Sequence, residues 1–422
     1  MYQLIKFSIS SWRALLLTGA AALVALMPQQ AQAVVIADSQ LEFSGVQGQD
    51  NWQYGYGLGG TFAQSPTYNA GGTMFGFGTA GVWEGVGNVR HVREGSHPNS
   101  AGGSHEGIRR WTSEVTGWVK VTGTLSKFDL AGDGVTGAIR INGNGLTEAG
   151  QPFTQVLRGN DGIGVNYTKY IQVDTGDTVD FLVHFNGNNS NDATRYTATI
   201  STVGATTQIY DAARDFSVLP ANNTATSTWQ YVSIDGLTRD GSYTLLQNNT
   251  TPTGLSGLAP AANTYPVVSK NASMSSATPF GTTLVSGNAL TLHPSPTNGA
   301  GIGWLAPDDG FVDIDGFLKR LDNGTGGDGI QWFLDLNTTE LDSGTLANVL
   351  NQMDSFSLSN VAVSAGDMLW LGVLPGANHS NDLTQLSWQI AFTPVPELAS
   401  LLLWCGALGI ALALARRWRR AG

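Results

Sequence analysis

Paired carboxylates are the first groups in this 422-residue chain with the chemistry to break a bond. Asp308-Asp309 and Asp313-Asp315 are such pairs, and glycoside hydrolysis needs two carboxylates flanking the scissile bond. Asp313 and Asp315 project from the same face of one strand, where solvation is the simpler reading. No G-x-S-x-G or H-E-x-x-H pattern is present. His91, His97 and His105 lie within fifteen residues, and imidazole suits zinc or copper. Their spacing fits no known ligand pattern, and a structural hydrogen bond explains them equally well.

Two loops concentrate side-chain oxygens: NGNNSNDAT at 186–194 and LDNGTGGDG at 321–329. Calcium takes about six to eight oxygens from flexible loops. Asp133, Asp192, Asp328 and Asp382 are therefore candidate ligands of a structural calcium. Asp and Asn in tight turns also satisfy their own backbone without a metal. The chain has 12 tryptophans. Most should be core, but Trp52, Trp83, Trp118 and Trp370 are candidates to stack on sugar rings.

The elements that must position these groups occur twice. NWQYGYGL at 51–58 resembles TWQYVSID at 228–235, pairing Trp52 with Trp229. WTSEVTGWVKVTGTL at 111–125 resembles WLAPDDGFVDIDGFL at 304–318, pairing Trp111 with Trp304 and Gly123 with Gly316. Residues 173–200 resemble 363–390, keeping Gly176-Asp177 as Gly366-Asp367 and Ser190-Asn191-Asp192 as Ser380-Asn381-Asp382. Three blocks in one order indicate a duplicated domain. The acid positions Asp313 and Asp315 correspond to Lys120 and Thr122.

Period-two alternation gives Val119, Val121, Gly123 and Leu125 one face, and Val312, Ile314, Gly316 and Leu318 the same face in the second copy. That is the pattern of half-buried antiparallel strands. Gly-, Asn- and Asp-rich turns separate many short strands. The expected fold is all-β: two tandem β-sandwiches of jelly-roll type. The expected boundaries are 34–203 and 217–393, with 204–228 a linker or the first turn of the second domain. A faint likeness to the jelly-roll modules of secreted carbohydrate-active enzymes rests on this pattern.

The two ends differ from the body. Lys6 and Arg13, an apolar stretch and Ala31-Gln32-Ala33 describe a signal peptide over 1–33, cleaved after Ala33. At the other end, Leu398 to Ala415 is uncharged for 18 residues, long enough to span a bilayer as a helix. Arg416, Arg417, Arg419 and Arg420 follow it, and positive charge stays on the cytoplasmic side. The order Pro396-Glu397, apolar span, arginine cluster resembles the PEP-CTERM sorting tail of Gram-negative bacteria, here over 394–422. Where that family has Pro-Glu-Pro, this chain has Leu398 third. The resemblance implies processing by an exosortase-like membrane enzyme, an inner-membrane precursor, and release to the surface or matrix. It also implies association with exopolysaccharide and biofilm.

Charge narrows the partners. Two of the 21 basic residues lie in the signal and four in the tail, and one of the 32 acidic residues lies in the tail. The body is left with 15 basic and 31 acidic groups, net −16. Nucleic acid needs the opposite sign. The single cysteine, Cys405, lies in the tail span, so the body has no disulfide. The expected function is that of an exported, non-catalytic, structural or adhesive protein with extracellular polysaccharide as partner. The alternative is an exported polysaccharide-acting enzyme, a glycoside hydrolase or lyase.

Overall fold

The computed structural model describes residues 33–395, except 75–76, 79–80, 101–102, 144–152, 240–241, 274, 323 and 325. Ala31, the 398–415 span, Pro396, Glu397 and the four tail arginines lie outside the described residues. Among the described residues no helix is long and apolar enough to cross a membrane. The only helical elements there are two short 3-10 turns, Gln49–Asn51 and Pro220–Asn222.

Everything else regular is antiparallel strand, in four sheets. The first half holds two. One is centred on Gly117–Lys127, which pairs with Val165–Val173, Thr194–Tyr196 and Thr199–Thr202. The other runs Phe153–Leu157, Val135–Ile141, Thr178–Phe185, Glu106–Thr112, Trp52–Gly57, Ala63–Gln64. Val119, Val121 and Leu125 from one sheet meet Trp52, Trp111 and Phe181 from the other in a single buried cluster. The second half repeats the plan. Gly310–Arg320 pairs with Met353–Val363 and Thr384–Pro394, and Val312, Ile314 and Leu318 pack with Trp229, Trp304 and Leu371.

The halves agree in register. Trp52 lies directly opposite Trp111, and Trp229 directly opposite Trp304. Gly176 and Gly366 have φ of 94° and 88°, left-handed turns that favour glycine. Asp177 accepts from the Asp174 amide and Asn142 Nδ2, and Asp367 accepts from the Ser364 amide and Asn337 Nδ2. Gly123 and Gly316 recur for a steric reason. A Cβ on Gly123 would lie 1.9 Å from the Thr197 carbonyl oxygen, and one on Gly316 would lie 2.3 Å from that of Ser387.

Three features differ from the sequence reading. Residues 204–228 are more than a connector, because Gln208–Asp211 pairs with Thr384–Pro394 as a strand of the second half. Tyr196, Ala198 and Ile200 alternate as one strand would, yet the chain forms two, Thr194–Tyr196 and Thr199–Thr202, interrupted at Ala198, whose amide donates to Ser39 Oγ and whose carbonyl accepts from the Ser39 amide. The largest difference concerns the face carrying Asp313, Asp315 and Phe317. Asp315 is not solvated: it is 3% exposed, and Phe317 is 1% exposed. This face is covered by the first half, and Phe317 joins the first half's apolar cluster.

Polar contacts close that junction. Asp315 accepts from Tyr170 Oη at 3.1 Å and Ser357 Oγ at 2.8 Å, and pairs with Lys120 at 2.7 Å. Lys319 Nζ donates to Asp161 and, at 3.1 Å, to the Gly164 carbonyl. Gln385 Nε2 donates to Gln155 Oε1, and the Val156 amide to Ser286 Oγ.

Candidate functional site

Beside this junction lies a cleft of about 650 Å³, walled by both halves. That size falls within the range of about 300–1,000 Å³ usual for small-ligand sites. The Gly117–Lys127 strand contributes Trp118, its second residue, and the Val165–Val173 strand brings Lys169, Tyr170 and Gln172. Gln208–Asp211 ends in Asp211, just before Arg214. Val267–Lys270 ends in Lys270, and Thr384–Pro394 supplies Gln385 and Ser387.

Trp118 is half-buried in this wall and packs on Tyr170, Ile209 and Ala391. The other three stacking candidates are elsewhere. Trp52 is fully buried, its Nε1 donating to Glu42. Trp83 stacks on Tyr54 in the core and donates to the Ser44 carbonyl. Trp370 is buried against Tyr243, their ring centroids 4.0 Å apart. None of the three presents a free face to a sugar. Composition cannot separate them from Trp118, since all four sit in β-favouring context.

Among the described residues, the single carboxylate in the cleft lining is Asp211. Its Oδ1 accepts from the Ala213 and Arg214 amides, and its Oδ2 accepts from Lys169 Nζ at 3.2 Å and from Gln389. Burial works against the charge, but Lys169 and these donors outweigh it and hold the carboxyl below the usual range. Both oxygens are spoken for. Gln385 Oε1 and Thr154 Oγ1 in the same wall are buried without a partner. Such groups carry a cost of about 1–3 kcal/mol until something supplies one.

The expected calcium ligands separate into two equivalent loops, and each has a cation from its own chain. Asp192 faces Lys127 Nζ at 3.1 Å, both side chains fully buried, and Lys127 also donates to the Asn191 carbonyl. Asp382 faces Arg320 at 3.5 Å, and Arg320 donates to the Asn381 carbonyl. Asp133 and Asp328 accept backbone amides, from Asn188 and from Ala377 and Asn378. Among the described residues no three carboxylate, imidazole or thiol groups gather around one point. A lysine, an arginine and backbone amides thus take several of the loops' oxygens, which the sequence spacing could not show, while Asp192 Oδ2 and Asp382 Oδ2 are buried without a hydrogen-bond partner. Burial pushes the Asp192 and Asp382 carboxyls up to about 7, against the pull of Lys127 and Arg320.

The histidines are likewise separate. His91 Nε2 donates to the Gly55 carbonyl at 2.7 Å, so Nδ1 accepts from Ser96 Oγ at 2.8 Å. His97 and His293 each place Nδ1 against the carbonyl of the following proline, at 2.6 and 2.7 Å. His105 Nδ1 lies 2.9 Å from the Gly103 carbonyl. Burial, then the charge of Arg109, lowers the His91 pKa to about 3. A folded pKa below the free value means that this site's stability is present above about pH 6.5 and is lost as pH falls toward 3. On acidification from pH 7.5 to 5, wild type should lose about 2 kcal/mol relative to a His91→Gln variant. Urea denaturation of both proteins at the two pH values measures the difference.

No protein family and no curated protein matches the chain. Among solved structures, it is similar to the N-terminal CBM22-1-CBM22-2 tandem domain of Paenibacillus barcinonensis Xyn10C, at 11% identity over 87% of this chain and 100% of that one, with a TM-score of 0.24. The tandem CBM51 modules of a family 98 glycoside hydrolase from Streptococcus pneumoniae match 72% of this chain and 84% of theirs, at 12% identity and a TM-score of 0.23. A CBM51 from Clostridium perfringens GH95, solved with methyl-galactose, matches 30% of this chain and 89% of its own, at 13% identity and a TM-score of 0.22. The ligands of those modules are their own.

Proposed function

We propose that the chain is an exported, non-catalytic surface or matrix protein that binds extracellular polysaccharide in the cleft between two jelly-roll-type sandwiches. The observation that carries this reading is the cleft's composition. A half-exposed indole and a tyrosine supply apolar ring faces, and glutamine, lysine and serine side chains line the same wall. A pyranose offers a matching pair of surfaces, an apolar ring face and a rim of hydroxyls. The one carboxylate that the described residues place in the cleft is fully hydrogen-bonded, which favours binding over hydrolysis between two carboxylates. Export and release are supported by the Ala31-Gln32-Ala33 site and by the Pro396-Glu397 tail.

Trp118→Ala should weaken binding to any recognised polysaccharide by about tenfold or more, the loss of about 1.4 kcal/mol or more from a central aromatic contact. Affinity electrophoresis against a panel of bacterial and plant polysaccharides reads this. An unchanged affinity in the variant would move the site elsewhere. Fractionation of the host with and without its exosortase-like enzyme, followed by intact mass, tests the sorting reading. The expected product is shortened near Pro396 and found outside the membrane.

A further inference from the structure

The cleft's charge is opposite in sign to that of the body. Outside signal and tail the chain carries net −16, yet among the described residues the charged side chains lining the cleft are Lys169, Arg214 and Lys270 against Asp211 alone. Two of the three cations are occupied. Lys169 pairs with Asp211, and Arg214 makes a two-pronged pair with Asp215 at 2.7 and 3.1 Å. Lys270 differs. Its Nζ donates to the Ala213 carbonyl at 2.6 Å, and it joins none of the ion pairs among the described residues. An ammonium has three N–H bonds, so two remain to be directed at a ligand.

Lys270 is half-buried at the end of the Val267–Lys270 strand. Burial lowers its pKa, and Asp211 and Asp215 only partly restore it. Both of those carboxylates are already neutralised by Lys169 and Arg214, so they present little net charge to an incoming anion. A half-desolvated ammonium whose nearest acids are committed elsewhere is best satisfied by a new negative group. Trp118 belongs to the same wall.

We propose that this cleft takes an anionic glycan, a sugar ring carrying a carboxylate or sulfate, with Lys270 as the counter-ion that selects it. The inference rests on the polysaccharide-binding reading of the cleft and narrows its ligand class.

The test uses the full-length chain with three probes: polygalacturonate, dextran sulfate and unmodified dextran. Wild type should bind at least one charged polymer about tenfold or more tighter than dextran. Lys270→Gln should remove that preference, costing roughly tenfold to a hundredfold, as expected for a lost charge-assisted hydrogen bond. Lys270→Arg should keep most of it. Loss with polygalacturonate assigns a carboxylate, and loss with dextran sulfate alone assigns a sulfate ester. Either supports the proposal, provided the variants melt with wild type. Equal binding to charged and neutral polymers, insensitive to Lys270 but lost in Trp118→Ala, overturns it and leaves the polysaccharide site standing. Charge-selective binding that survives Lys270→Gln also overturns it. No binding to these three or to any other glycan overturns both readings.

Discussion

Lys319→Met should destabilise the whole body by about 3–5 kcal/mol, as removal of one partner from a buried ion pair typically does. The Lys319 and Asp161 side chains are 2% and 1% exposed. Deleting the ammonium leaves the buried Asp161 carboxylate without its ion-pair partner. The damage spreads because Asp161 Oδ1 also accepts from the Gly164 amide at 2.8 Å, and Lys319 also holds the Gly164 carbonyl. That turn feeds the Val165–Val173 strand, which carries Lys169 and Tyr170 to the cleft. Equilibrium unfolding in urea gives the number. A second variant separates the loss of a pair from the exposure of a lone charge: Lys319→Met with Asp161→Leu should recover most of the stability. If the single and double variants are equally unstable, the carboxylate is not what makes the single variant fail.

Much of the architecture was written in the chain. Alternation over 117–125 and 310–318 correctly separated the residues that face each sandwich core, because side chains on a strand have a fixed period of two. The paired tryptophans, the Gly-Asp turns and the Ser-Asn-Asp loops each recur with the same partners in three dimensions. What alternation does not contain is the identity of the cover on the second face. Asp315 and Phe317 look like a solvated acid and a stray aromatic until the first half is placed against them. The cleft was illegible for the same reason. Its wall is drawn from positions near 118, 155, 170, 211, 270 and 385, and no window of sequence brings these together. Trp118 was named as one of four equals, and only its place at the margin of the junction distinguishes it. The oxygen-rich loops carry a related lesson, since Lys127 and Arg320 sit 65 and 62 residues from the carboxylates they face.

The same junction makes the strongest claim about folding. Residues 34–203 produced alone should not form a stable first sandwich, although their sheets are complete. The first half's apolar cluster includes Phe317 from the second half, and Met353 packs against it. Truncating Phe317 alone to alanine should cost about 3–5 kcal/mol, the usual range for a buried phenylalanine, and whole domains are stable by only about 5–15 kcal/mol. Splitting the chain removes Phe317 and Met353 and the Lys319 contact together. It also strands Asp161 and Lys120, whose counter-charges Lys319 and Asp315 lie in the other half. Circular dichroism and thermal melting of 34–203 should therefore show a much lower or absent transition. Adding 208–395 in trans should restore it, along with the cleft. Intact protein should unfold in one transition and not two. If 34–203 melts cooperatively at the temperature of the full chain, the halves are independent beads, and a ligand site built from both walls would lose its structural support.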